Sequence, residues 1–360
     1  MNLPELRIDN LVARVPIVQG GMGVGISLSS LAGNVALNGG IGVISGVEPG
    51  FNEPDYLKNK KEANIRALRM HIQKARDICK DGILGVNIMV VLNNFEEMVA
   101  EAVKQKIDII FSGAGLPLKL PQFTMGSDTK NVPIVSSGRA AAVICKSWHK
   151  HYGVVPDAIV VEGPLAGGHL GFSEEEIKQP SFQLINLLRS ILDTIKPYEE
   201  LYRKKIPVIA AGGVFNGQDI ANLIQAGASG VQMGTRFVAT HECDASDEFK
   251  KVYLDATSDD VQLIHSPVGM IGRAVRNKFL IDVEAGKKKP IRCLCNCLKP
   301  CNPAKAPYCI ADALINAQRG NFDNGFAFAG TNVYRIKEIV SVKQLMDELV
   351  SEAKYNLQSI

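Results

Sequence analysis

Short, continuously apolar runs alternate with longer amphipathic stretches over the first two-thirds of the chain. The runs are "PIVQG" (16–20), "IGVIS" (41–45), "ILGVNIMV" (83–90), "IDIIFSG" (107–113), "VPIVSSG" (132–138), "DAIVVEG" (157–163), "IPVIAAGG" (206–213) and "GVQMGTR" (230–236). Continuous rather than alternating apolarity predicts strands covered on both faces, as in a parallel sheet. The stretches between them, such as "EEMVAEAVKQK" (96–106) and "GQDIANLIQAG" (217–227), carry helical periodicity, with Gly227 as a helix stop. Eight such strands with intervening helices predict an α/β fold, a (β/α)8 barrel over residues 1–239. Strand count alone leaves a doubly wound open sheet as the competitor. After Arg236 the rhythm changes. Residues 240–325 read as a helical, cysteine-rich cap in which no strand is convincing up to residue 320. Residues 326–360 read as a closing segment whose helix, "SVKQLMDELVSEAKY" (341–355), opens at Ser341 and packs back on the barrel.

Composition narrows the partners. Of 360 residues, 46% are hydrophobic and 21% charged, enough apolar matter for a sizeable core. A formal charge of +3 gives no concentrated field for nucleic acid, and Lys287-Lys288-Lys289 reads as a solvated loop. The start, "MNLPELRIDN", lacks the apolar run of a signal peptide, and no apolar stretch is long enough to span a membrane. A soluble, cytoplasmic protein is expected, with its cysteines as thiols. Cys293, Cys295, Cys297, Cys301 and Cys309 crowd into one short segment. Their spacing matches neither the common zinc pairs nor the ferredoxin patterns, so metal binding and a set of reduced thiols both stay open.

Glycines gather at the strand ends: "QGGMGVG" (19–25), "SGAG" (112–115), "GPLAGGH" (163–169), "AAGGV" (210–214) and "MGTRF" (233–237). In a βα barrel these loops share one rim, and glycine lets backbone N–H groups approach a ligand. The loops after strands seven and eight are where barrels commonly hold a phosphate, which points to Gly212, Gly213, Gly234 and Thr235. A dinucleotide fingerprint in "GGMGVGIS" fails on spacing, because Ile26 stands where the third glycine belongs.

Taken in order, "PIVQGGMG", "GVNIMV", "EGPLAGGHLG", "PVIAAGGV" and "GVQMGTRF" resemble the nitronate monooxygenases, formerly called 2-nitropropane dioxygenases. They are similar also to the FMN-dependent enoyl-ACP reductases of the second type. The resemblance runs over roughly residues 10–275, including "SPVGMIGRAVRN" (266–277). It implies a TIM barrel holding non-covalent FMN at the C-terminal strand ends. By motif, Gly21, Met22 and Asn87 would lie along the flavin, Ser112 and Gly113 on the same rim, and Gly168 where the backbone passes close to the ring. Gly212, Gly213, Gly234 and Thr235 would bind the phosphate, and His169 matches the family's active-site histidine. Two positions depart from the pattern. Leu165 stands where many relatives carry a polar or acidic residue, and Arg139 where lysine is common.

The implied reaction is oxidation of an alkyl nitronate or nitroalkane by O2 to a carbonyl compound and nitrite, with His169 as base. An imidazole of pKa about 6.5 suits that role. The alternative is an NAD(P)H-dependent enoyl-ACP reductase, or a related quinone reductase, with NAD(P)H as co-substrate. A non-catalytic flavin- or phosphate-binding barrel is the third reading. The partner expected is a small molecule, a nitronate or an enoyl thioester, with the protein as a homodimer. The other histidines read more plainly: His71 on a charged helix, His149 and His151 at a helix end, His241 and His265 in the cap, with a place near substrate left open for His265.

Overall fold

The computed structural model describes residues 3–289, 291, 293 and 297–358. Thirteen strands follow the chain: β1 (Leu6–Ile8), β2 (Leu11–Ala13), β3 (Ile17–Gln19), β4 (Ile41–Ser45), β5 (Ile83–Asn87), β6 (Ile109–Ser112) and β7 (Lys130–Val135). Then come β8 (Ile159–Glu162), β9 (Gly168–Leu170), β10 (Val208–Ala211), β11 (Gly230–Met233), β12 (Val261–His265) and β13 (Ile271–Val275). Eight of them, β3 to β8 with β10 and β11, close a parallel barrel in sequence order, as the apolar runs predict. The open-sheet competitor is thereby excluded.

Side-chain parity explains what fills the barrel. Val18, Ile41, Val43, Ile109, Phe111 and Val132 point inward with Ala158, Val160, Ile209 and Ala211, while alternate residues pack outward on the helices. The hairpin β1–β2 plugs the N-terminal end with Leu6, Ile8 and Ala13. The seam between β3 and β4 has a single register pair, Val18↔Ile41. There the buried Gln19 stands in for a ladder rung: its Oε1 accepts from Val43 N at 3.1 Å and its Nε2 donates to Val43 O at 3.2 Å.

The loop after β3 is held at both ends. Met22 N donates to Ser27 Oγ at 2.8 Å. The helix that follows, Ser29–Leu37, has its N-terminal amides on one carboxylate: Leu28, Ser30 and Leu31 N–H groups donate to Asp244 at 2.8, 3.1 and 3.1 Å. The last helix, Val342–Gln358, packs on helix Gly217–Gln225, and Ser341 caps it through its hydroxyl, which accepts from Gln344 N.

The cap differs from its sequence reading. Residues 240–320 were expected to be strandless, yet β12 and β13 form a hairpin there, and β9 joins it as a third antiparallel strand. Neither strand has the uninterrupted apolarity of a barrel strand: "VQLIH" and "IGRAV" are polar or glycine at alternate or central places, because one face meets solvent or loop. Among the described residues no helix is long and apolar enough to cross a membrane.

Candidate active site

A cavity of about 420 Å³ opens over the C-terminal strand ends, between the barrel and the cap. That is cofactor-sized. Gly21, Met22, Asn87, Gly113, Gly168 and His169 line it, as do Gly212, Gly213, Gly234 and Thr235. Ser112 does not. Its side chain is fully buried one parity step away from the barrel interior, and its hydroxyl donates to Ile88 O at 2.8 Å. The motif reading of Ser112 as a rim residue is therefore corrected, while its neighbour Gly113 holds its place.

Two glycines are required by geometry. A Cβ on Gly21 would lie 2.3 Å from the Asn87 Cβ, so any side chain there displaces the Asn87 amide. Gly212 takes φ +93°, and its Cβ would also meet Gly163 O at 2.7 Å. The turn after β10 consequently stays bare backbone facing the cavity. Thr235 begins the short helix Thr235–Val238, and its hydroxyl oxygen accepts from Gly330 N at 3.0 Å, which fixes the side chain at the rim.

His169 sits on β9 and not in a free loop. It pairs with Gly272 of β13, and its Nε2 lies 2.8 Å from Ser266 Oγ, at the start of the turn that joins β12 to β13. The Phe328 ring packs edge-on at 5.1 Å between centroids. The preceding loop is fastened by Arg273, buried on β13, whose guanidinium donates to Pro164 O and, at 2.7 Å, to Ala166 O. The polar residues of "SPVGMIGRAVRN" thus hold backbone and the His169 ring in place. Burial pushes the His169 imidazole down to about 4, well below the 6.5 assumed from sequence. It is neutral at physiological pH, always able to accept a proton but with low affinity for one.

The barrel side of the cavity is chemically different. Asn87, Glu162 and Gln232 share inward parity with Ile83, Val160 and Gly230, and all three line the cavity. Among the described residues, nothing hydrogen-bonds or ion-pairs to their side chains. With no such partner, burial alone pushes the Glu162 carboxyl up to about 7. Sequence reasoning missed Glu162 and Gln232. The available signal was parity: each ends an inward-facing alternation in its strand, at the level where a barrel's ligands bind.

Other candidates fall away from the cavity. His265 is exposed and 3.2 Å from Glu174, so it is not near substrate. His71 is half-buried on the charged helix Lys60–Cys79: it meets Ser29 Oγ at 3.1 Å, and burial lowers it to about 4. Arg139 is exposed at a helix start. Leu165 does line the cavity, with its side chain over Gly213. Of the cysteine cluster, Cys297 lines the cavity, Cys293 is exposed, Cys301 and Cys309 are half-buried, and Cys295 lies outside the described residues. Among the described residues no group of three or more His, Cys, Asp or Glu side chains is placed to hold a metal ion.

The sequence profile of the family described as nitronate monooxygenase matches residues 5–352. A probable nitronate monooxygenase of Bacillus subtilis (strain 168) is 24% identical, over 94% of this chain and 95% of its own length. One from Staphylococcus aureus (strain Newman) is 25% identical, over 75% and 77%. Among solved structures, FabK from Thermotoga maritima superposes with a TM-score of 0.75 at 27% identity, covering 96% of this chain and 94% of that one. A nitroalkane oxidase from Streptomyces ansochromogenes shares the fold, with a TM-score of 0.72 at 19% identity over 96% and 98%.

Proposed function

The chain belongs to the nitronate monooxygenase family, and from that premise we propose that it is an FMN-dependent nitronate monooxygenase, converting alkyl nitronates and O2 to a carbonyl compound and nitrite. The observation that carries this reading is one cavity with bare-backbone turns at Gly212–Gly213 and Gly234–Thr235, a partnerless amide at Asn87, and a fixed neutral imidazole at His169.

These residues fit a flavin mononucleotide. The turns after β10 and β11 offer backbone N–H groups and the Thr235 hydroxyl to a phosphate. Asn87 and Gln232 have unspent donors and acceptors for the polar edge of a ring, and Gly21 and Gly168 leave room beside it. When bound, the flavin supplies the redox chemistry with O2 that side chains lack. The chain's own part is positional and protonic. His169 serves as the base for a neutral nitroalkane, whose α-proton it would remove, while a nitronate has no such proton and meets it only as a neutral neighbour; Ser266 and Phe328 hold its ring. With a pKa of about 4 it is a weak acceptor, so it is better matched to a substrate that arrives already as the anion. That favours nitronates over neutral nitroalkanes.

The likeness to FabK favours a second reading, an NAD(P)H-dependent enoyl-ACP reductase. Anaerobic mixing of the FMN-loaded protein separates them. Under the first reading, a nitronate bleaches the flavin while NADH and NADPH do not, and aerobic turnover releases nitrite. Rapid bleaching by NADH or NADPH, with no nitrite from nitronates in air, overturns it in favour of the reductase.

A further inference from the structure

The substrate of the proposed reaction is an anion, yet no lysine or arginine lines the cavity among the described residues. Its ionisable side chains are Glu48, Glu162, His169, Tyr253 and Cys297. Glu48 is already spent: Lys60 lies 3.0 Å from it, and Tyr56 and Asn64 donate to it at 2.7 and 3.0 Å. Glu162 is not. Its carboxyl lines the cavity from the last residue of β8, as the uncharged Asn87 and Gln232 do from β5 and β11, without a partner in the described chain.

We propose that Glu162 sets the charge this cavity accepts: as the neutral acid it admits an anionic ligand and donates a hydrogen bond to it, and as the carboxylate it excludes that ligand. The inference rests on the nitronate reading for its substrate, but the device itself depends only on the carboxyl and the cavity.

The surroundings leave Glu162 in control. Of its neighbouring strands, β10 has no ionisable residue and β7 has only Lys130, at the opposite end and paired with Asp9. The two helices behind β8 carry charges, from Arg139 and His149 on one to Arg189 and Glu199 on the other, and none of these four lines the cavity. Tyr253 and Cys297 line the cavity from outside the barrel strands. Tyr253 is held protonated by burial and donates to Phe328 O. His169, lowered by burial to about 4, stays neutral while Glu162, raised by burial to about 7, changes charge. The side chains of the cavity therefore turn from neutral to negative as pH rises through about 7.

The test uses isobutyrate, an unreactive anion shaped like propyl-2-nitronate, and its neutral counterpart isobutyramide, titrated into the FMN-loaded protein by calorimetry. Isobutyrate is expected to bind roughly tenfold or more tightly at about pH 6 than at about pH 8.5, with isobutyramide unaffected. Glu162→Gln should abolish that pH dependence, and Glu162→Asp should restore it. A flat response in the unaltered protein, an unchanged pH dependence in Glu162→Gln, or no isobutyrate binding at any pH overturns the proposal. Difference infrared titration of the unaltered protein reads the carboxyl directly and needs no variant. A midpoint near 7 supports the proposal, and the ordinary carboxylate midpoint near 4.5 overturns it. If nitronates yield no nitrite while the isobutyrate result stands, the enzyme reading fails and the charge device survives.

Discussion

Within one cavity, His169 and the trio of Asn87, Glu162 and Gln232 meet their surroundings in opposite ways. His169 is tied by Ser266, by the strand pairing of β9 with β13 and by the Phe328 ring, and Arg273 holds the loop that leads to it. The trio has no such ties. The three are half-buried and line one cavity, where hydrogen bonds left unmade within the chain are free for a ligand. Orientation of the imidazole is settled in advance by the fold, whereas the barrel side is completed by what binds. One side is for placement and the other for reception.

The strongest way to test that division is His169→Ala. Turnover of the neutral nitroalkane should fall on the order of 10²- to 10⁴-fold while the protein stays yellow, as expected when a proton-transfer group is lost but reception is intact. Near-normal turnover would remove His169 from the chemistry. Next is Arg273→Met, which strands the carbonyls of Pro164 and Ala166. We expect a loss of about 2–4 kcal/mol in denaturant unfolding, since a charged hydrogen-bond donor is removed and two acceptors are left buried. An unfolding midpoint equal to the parent's would show that the loop holds itself.

On the receiving side, Gly21→Ala drives a methyl group into Asn87. A stability cost of about 1–3 kcal/mol is expected from the overpacking, together with weaker FMN binding by fluorescence titration. Unaltered flavin affinity would separate Asn87 from the cofactor.

The smallest effect is also the most selective. Glu162 is raised in the folded state, so it binds its proton more tightly there; its contribution to stability is present at low pH and lost as pH rises from about 4.5 to about 7. His169 is lowered, so its contribution is present above about 6.5 and lost as pH falls to about 4. The two oppose each other where these windows overlap. Glu162→Gln should therefore lose stability more steeply than the parent on acidification below pH 6.5, and His169→Asn less steeply, read as chemical-denaturation midpoints at stepped pH. Parallel curves for all three proteins would mean that neither group titrates as described.

The barrel was legible because its strands are buried on both faces, which leaves unbroken apolar runs such as "IPVIAAGG". His169 and most of the glycine rim were legible from their place after such runs. Ser112 was misplaced because a motif gives position along the chain, and facing depends on parity: Phe111 points in, so Ser112 points out. The same parity would have found Glu162 two residues beyond Val160. β12 and β13 were hidden because a small sheet with one open face has no continuous apolar signature. The lowered pKa of His169 was unreadable too, since desolvation comes from the Phe328 side of a cap more than 150 residues distant in sequence.

Asp244 has a consequence for how the chain assembles. The amides that start the first crossover helix are capped by a carboxylate 216 residues downstream of Leu28. During synthesis, that helix and the glycine loop before it remain without their tie until the last barrel strand and the turn beyond it have emerged. Such long-range closure is slow to form because a large loop must be ordered first. The first βα unit to be made is thus the last to be finished, and a nascent chain ending before residue 244 has the rim's opening loop without its lock.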